Sequence, residues 1–460
     1  MECYGKQIWT NLTKDTLHEL GINPPDEAKY KAVKARWDAI AKPLDGMGRF
    51  EEITAQIGAV TGDEALDLSR KAVLIFCADN GIVAEGVSQS GQEVTFAVAQ
   101  SMAKKNSSVG RMASCIGADT IPVDIGINSD AHIDGVLDRK IARGTHDFLL
   151  QPAMSETETL CAIETGIDLV AQCKADGYRI LATGEMGIGN TTTSSAVAAA
   201  LLGCESALVV GRGAGLSDRG LARKREVVDL AIEKYDLYHQ DAFTILMTVG
   251  GFDIAGLVGM CIGGAICHIP IVLDGVISMV AALVAERMIP GVRDYVIASH
   301  KGREPAVERL TKELHLHPVI DADLALGEGT GAVMMLSLLD TALCIYREET
   351  TFADISIAQY ERFSYDYFDH GRQRKRQVCL CRRLCAYTGR GVVEILYCHD
   401  ADLRCRRAAE GRTAPEAACR QRIYNDRAAD GYCGVCEWYQ RRNGEKFDCL
   451  AGMHVKPGCE

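Results

Sequence analysis

Four short, mostly apolar runs, each giving way to glycine or aspartate, restrict this chain to a narrow set of folds. Ala72-Val73-Leu74-Ile75-Phe76-Cys77-Ala78 ahead of Asp79-Asn80-Gly81 is apolar throughout, as a strand covered on both faces must be. The others are Thr120-Ile121-Pro122-Val123-Asp124-Ile125-Gly126, Tyr178-Arg179-Ile180-Leu181-Ala182-Thr183-Gly184, and Ile269-Pro270-Ile271-Val272-Leu273 before Asp274-Gly275. Ala-rich or amphipathic helical segments, such as 193–202 and 221–234, lie between them. Strands alternating with helices predict an α/β, Rossmann-like domain with a mainly parallel sheet flanked by helices. Ligands of such sheets bind beyond the carboxyl ends of the strands, so the loops there are where chemistry is expected.

Those loops are rich in glycine. Gly184-Glu185-Met186-Gly187-Ile188-Gly189-Asn190-Thr191-Thr192-Thr193 leaves a strand and opens a helix. Glycines admit a ligand to the backbone, and Asn190 or a threonine is placed to cap a helix whose free N–H groups attract an anion. Gly211-Arg212-Gly213-Ala214-Gly215-Leu216 is a second such loop, with Lys224 one helical stretch later, and Val249-Gly250-Gly251-Phe252-Asp253 is a third. Three in one domain, with Arg212 and Lys224 at hand, point to a phosphate-bearing ligand. None matches a nucleotide fingerprint of the GxGxxG or GxxxxGK[ST] type.

Leu326-Gly327-Glu328-Gly329-Thr330-Gly331 sets one carboxylate among glycines. A flat ligand can approach it, and low-polarity walls from Ala325, Leu326, Ala332 and Val333 would raise its pKa toward that of a general base.

Composition narrows the partners. The 460 residues carry a net charge of −12, which argues against nucleic acid or an anionic membrane. Residues 254–273 lack Asp, Glu, Lys and Arg. Six small residues, His268 and Pro270 break the run, so a buried helix followed by a buried strand is expected rather than a membrane span. The N-terminal residues offer no apolar core of a signal peptide. Scattered cysteines in the body fit a reduced, cytoplasmic protein. Residues 12–70 read as helices starting at Asn23-Pro24-Pro25-Asp26 and interrupted by a loop at 42–49.

Taken together, these stretches resemble the nicotinate-nucleotide:dimethylbenzimidazole phosphoribosyltransferase family. The resemblance rests on 42–49, 78–88 with Gln92-Glu93-Val94-Thr95, Pro152-Ala153-Met154-Ser155, 184–192, 210–216, 250–256, Leu273-Asp274-Gly275, Ala298-Ser299-His300 and 326–331. It implies transfer of phosphoribose from nicotinate mononucleotide to 5,6-dimethylbenzimidazole, with no cofactor and no metal. Glu328 would be the base that takes the azole proton. Substrate contacts would come from Ser88, Gln92, Glu185, Gly187, Gly189, Asn190, Thr191, Arg212, Gly213, Lys224, Gly250, Gly251, Gly327 and Gly329, with Glu185 near the ribose and Lys224 on the phosphate. A homodimer is implied as well. The domain reading is a helical N-terminal segment at 1–70, a catalytic domain at 71–345 and the end of the family-like region at 346–363. N- and C-terminal segments together build a smaller helical domain. Three departures bear on base choice: Asn80 where many relatives carry His, Asp45-Gly46-Met47 for Gly-Ser-Leu, and Lys301-Gly302-Arg303 after His300. Other acceptor bases, or a non-catalytic nucleotide or azole sensor, are the alternatives.

Residues 364–460 differ in kind. Residues 1–363 hold 32 Lys+Arg against 49 Asp+Glu, whereas 364–460 hold 18 against 13, 15 of the 18 being Arg, and ten of the 19 cysteines. A zinc module is the lesser reading, since only Cys433-Gly434-Val435-Cys436 has CxxC spacing. The preferred one is an out-of-frame translation without fold or function. Back-translated and shifted by one base, codons 371–379 permit Gly-Gly-Ser-Gly-Ser-Gly-Lys-Ser and codons 394–401 permit Lys-Tyr-Tyr-Ile-Ala-Thr-Met. Both strings resemble adenosylcobinamide kinase/guanylyltransferase.

Overall fold

The computed structural model describes residues 12–348 and 350–360, with the backbone of short strands between 382 and 418. Six strands make one sheet: β1 (Lys71–Ala78), β2 (Asp119–Gly126), β3 (Leu137–Asp138), β4 (Ile180–Met186), β5 (Ile271–Leu273) and β6 (Val296–Ala298). All pairings are parallel, in the order β3-β2-β1-β4-β5-β6. That order reverses direction between β1 and β4. The loops leaving these two neighbours therefore diverge and open a crevice at the carboxyl edge.

Strand periodicity builds both halves of the core at once. Along β1, Ala72, Leu74, Phe76 and Ala78 join one apolar cluster while Val73, Ile75 and Cys77 join the other. The first cluster is completed by helices Glu156–Ala175, Asn190–Leu202, Phe252–Cys267 and Val276–Met288. Helices Glu27–Ala39, Arg49–Thr61, Ser108–Cys115 and Thr330–Glu348 cover the opposite face. With both faces packed, alternation of polar and apolar residues vanishes from the strand sequence.

The uncharged run at 254–273 is a buried helix followed by β5, as expected. Its small residues serve helix packing: a Cβ at Gly259 would lie 2.0 Å from the Ile163 carbonyl oxygen, so Phe252–Cys267 and Glu156–Ala175 approach backbone to backbone. Among the described residues, only Thr330–Arg347 is long and apolar enough to cross a membrane, and 56% of it is buried in the fold.

N- and C-terminal segments do meet. Trp37 packs against Tyr346 with ring centroids 5.1 Å apart and tilted by 51°, and donates its indole N–H to Thr54 Oγ1 at 2.8 Å. Arg36 donates to the Tyr346 carbonyl at 3.0 Å, and Ile40 bridges Thr351. They belong to the same compact unit as the sheet, residues 1–363. Two elements went unread: β3, of two residues, is too short to display a period, and β6, though as long as β5, lacks the Asp-Gly signal that follows β5. β4 also runs two residues further than the sequence indicates, so Glu185 stands within the strand and not in its loop.

Residues 364–460 form a separate unit, in which the described backbone comprises antiparallel pairs such as Arg382–Thr388 with Gly391–Tyr397. The cysteines of the zinc reading and the frame-shifted phosphate loop lie outside the residues described with side chains.

Candidate active site

At the end of β4 the chain buries acids beside one amide. Glu185 and Asp253 are both buried, and Asn190 Nδ2 donates to Glu185 Oε2 and, at 2.9 Å, to Asp253 Oδ2. Burial, with Asp253 adding to it, pushes the Glu185 carboxyl up to about 8; burial raises Asp253 to about 6. The shared amide opposes both shifts because it favours the ionised forms. Asn190 is thus an internal bridge, and the sequence expectation that it caps the helix Asn190–Leu202 is corrected: Gly189 is the N-cap, without a side-chain bond. Gly187 packs over the Ala78 carbonyl, and Gly250 and Gly251 bring Asp253 opposite Asn80, whose buried Oδ1 has no partner among the described residues.

Glu328 arrives from the far end of the unit. Gly327, Glu328 and Gly329 have φ of 82°, 61° and 95°, three successive residues in the left-handed region. Two glycines take this conformation without a Cβ penalty; Glu328 carries one. The loop seats directly on β4, because a Cβ at Gly184 would lie 2.8 Å from the Glu328 carbonyl oxygen. The half-buried Glu328 carboxylate accepts from Val109 N–H at 3.4 Å, at the start of the helix Ser108–Cys115. Burial, reinforced by Asp274, raises its pKa, and the Val109 bond pulls the other way. The expected walls need correction: Ala332 and Val333 are buried beneath the loop, but Ala325 and Leu326 are exposed, Leu326 by 57%. Burial comes instead from β4 and the helix at 108–115.

The second glycine loop closes onto the first through Lys224. Its side chain is fully buried, so it is no solvated helix face, and Nζ donates to Thr191 Oγ1 at 2.8 Å and to the Gly211 carbonyl at 3.3 Å. Burial lowers its pKa to about 8, with Glu304 opposing. Gly213 N–H donates to Glu304 Oε1 at 2.9 Å. Arg212 is exposed and folds back, donating to the Leu216 carbonyl at 2.7 Å and to Asp218 at 2.5 Å. On the β1 side, Gln92 donates to the Asn80 carbonyl at 3.1 Å and accepts from Asn128 at 2.9 Å, while Ser88 Oγ accepts from Ser90 N–H at 3.3 Å. Gln89 then ties this loop to Gly215, and Arg223 ties it through Glu85.

The fold therefore gathers Glu185, Asn190, Gly327, Glu328 and Gly329 at the tips of β4 and β5, and links Thr191, Gly213 and Lys224 in a neighbouring layer. Arg212 is the outlier. Asp253, Asp274, Glu304 and Val109 were not singled out by the sequence reading. Asp253 and Asp274 stood inside quoted motifs, Asp253 two residues after Gly251 and Asp274 between an apolar run and Gly275. Glu304 and Val109 carried no local signal. A cavity of about 590 Å³, lined by Tyr30, Arg49, Ile53, Arg293 and His317 among others, shares no lining residue with these loops.

Comparison with known proteins places this geometry. A family model described as "Phosphoribosyltransferase" matches residues 22–357. A nicotinate-nucleotide–dimethylbenzimidazole phosphoribosyltransferase of Acetivibrio thermocellus is 42% identical over 349 residues, 76% of this chain and 98% of that protein. One from Roseiflexus is 40% identical over 350 residues, again 76% of this chain and 98% of its own length. Among solved structures, the enzyme of that name from Thermus thermophilus superposes with a TM-score of 0.68 at 34% identity, covering 73% of this chain and all of that one. With identity this high over nearly the whole length of those relatives, the chain belongs to the nicotinate-nucleotide:dimethylbenzimidazole phosphoribosyltransferase family.

Proposed function

We propose that this chain transfers the phosphoribosyl group of nicotinate mononucleotide to 5,6-dimethylbenzimidazole, releasing nicotinate and forming α-ribazole 5′-phosphate for the lower ligand of cobalamin. Nicotinate is a pyridinium while glycosidically bound, so breaking the C1′–N bond returns the electron pair to the ring nitrogen and no general acid is needed. The acceptor azole attacks C1′ and must shed its N–H proton, and a single carboxylate suffices. This differs from the acid and base pair of glycoside hydrolysis. The observation that carries the reading is Glu328, half-buried on the tip of β4 with a raised pKa, one carboxylate standing apart from the bridged Glu185–Asn190–Asp253 group.

The remaining residues hold the donor. Glu185 is the polar anchor nearest the ribose position, Asn190 fixes it, and the 187–191 and 211–213 backbones with Lys224 face the 5′-phosphate. Ser88 and Gln92 line the base slot. We further propose a cytoplasmic homodimer, in line with the exposed apolar stripe Met334, Leu338 and Ile345 along the helix that follows Glu328.

Incubating the protein with nicotinate mononucleotide and dimethylbenzimidazole should release nicotinate. Glu328→Gln should lower kcat about 10²- to 10⁴-fold while folding normally. Undiminished release by that variant would remove Glu328 from the chemistry, and no release by the wild type would leave a binding protein.

A further inference from the structure

The conformation of Glu328 needs an explanation, because strained backbone persists only where surrounding contacts over-determine it. Those contacts converge on one side chain. Asp274, at the tip of β5 and 2% exposed, accepts from Gly329 N–H at 3.1 Å through Oδ2, and from Gly331 N–H at 2.8 Å and Ala332 N–H at 3.1 Å through Oδ1. These N–H groups include free donors of the first turn of Thr330–Glu348, where a negative charge is favoured. The carboxylate thus grips the chain on the C-terminal side of Glu328 while the Gly327 carbonyl accepts from Thr330. Asp274 is itself clamped: its N–H donates to Thr183 Oγ1 at 2.9 Å, and its carbonyl accepts from Ser299 Oγ at 3.1 Å.

We infer that Asp274 is the positioning residue of the reaction, fixing the left-handed turn that presents the Glu328 carboxylate to the acceptor base. Its carboxylate is buried and engaged by three backbone N–H groups, so it acts through Glu328, and the inference rests on the reading of Glu328 as the base. It has a second effect. The titratable groups around Glu328 are Asp274, Glu185 and, behind Asp274, His300 at 4.0 Å from its Oδ1; the helix at 108–115 offers a backbone N–H. A charge at Asp274 disfavours ionisation of Glu328 and keeps it a stronger base.

Asp274→Asn preserves shape but turns one acceptor into a donor that faces an N–H group. The test is a double-mutant cycle with Glu328→Gln, read as nicotinate release, with nicotinate mononucleotide affinity from calorimetry and folding from circular dichroism. A misplacement of about 1 Å costs roughly 10²-fold, so Asp274→Asn should lower kcat about 10²-fold. Its KM for nicotinate mononucleotide should stay within about threefold. The acid limb of its kcat profile should move to lower pH, and in the Glu328→Gln background no further loss should follow. Equal fold-losses in both backgrounds, or an unmoved acid limb, would overturn the inference while leaving the base assignment standing. Undiminished turnover of Glu328→Gln alone would overturn both. If Asp274→Asn does not fold, Thr183→Val, which removes the hydroxyl holding Asp274 N–H, takes its place in the cycle: loss confined to the Glu328 background supports the inference, and equal loss in both backgrounds overturns it.

Discussion

A carboxyl forced to remain neutral leaves a thermodynamic trace, and Glu185 is the residue at which to measure it. Its folded pKa of about 8 stands above the ordinary 4.5, first through burial and then through Asp253. The native state therefore holds a proton that the unfolded chain releases, so this group's stabilisation is complete below about pH 4.5 and declines as pH rises toward 8. Glu185→Gln removes the titration. The melting temperature of the variant relative to wild type should rise between pH 5 and pH 8.5, and a constant difference would refute a neutral Glu185. The sequence exposed Glu328 because glycines on both sides made it conspicuous. It concealed the state of Glu185, since that depends on Asn190 and on Asp253, a partner far along the chain. Nor does the sequence show that Arg212, a basic residue in a glycine loop, pairs with the exposed Asp218 within the next turn.

At the scale of elements, the loop 327–331 and β5 fit together without slack. A Cβ at Gly331 would lie 2.1 Å from His300 Nδ1 and 3.0 Å from Asp274 Oδ1, and His300 is 4% exposed with little room to yield. Gly331→Ala should cost about 1–3 kcal/mol, as overpacking does. Adding His300→Ala should recover part of that loss in a thermal melt, whereas a double variant no more stable than Gly331→Ala would place the strain elsewhere. β1, β2, β4 and β5 were visible as apolar runs because each is packed on two faces. β3 is too short to show a pattern and β6 lacks the Asp-Gly signal that follows β5, so the strand order could not be read in full. The run at 254–273 was separable from a membrane span because His268 and Pro270 interrupt it and no basic cluster follows. The use of its glycines, the approach of Phe252–Cys267 to Glu156–Ala175, shows only in the fold.

For the whole molecule, the family match ends at residue 357 and the first compact unit at residue 363. A chain cut after Phe363 should keep the wild-type kcat and melting temperature and elute as a dimer by light scattering. A fall in either value would give residues 364–460 a role that the out-of-frame reading denies them. The gene sequence tests that reading directly, because an early stop in the shifted frame ends it. The contrast between the two units was plain in the charge and cysteine counts alone. How the terminal helices join was not, since it turns on single pairs such as Trp37 with Tyr346, far apart in sequence.

The seat beneath Glu328 also sets an order for synthesis. A ribosome delivers Asn80, Glu185 and Asp274 in turn, yet Asp274 has no backbone amides to receive until the stretch from Gly327 onward emerges. In growing chains shorter than that, the Asp274 carboxyl at the carboxyl edge of β5 lacks these donors, and burying it is costly until the helix Thr330–Glu348 docks. With Glu328 as the base, the site is complete only once this last helix has settled against β5.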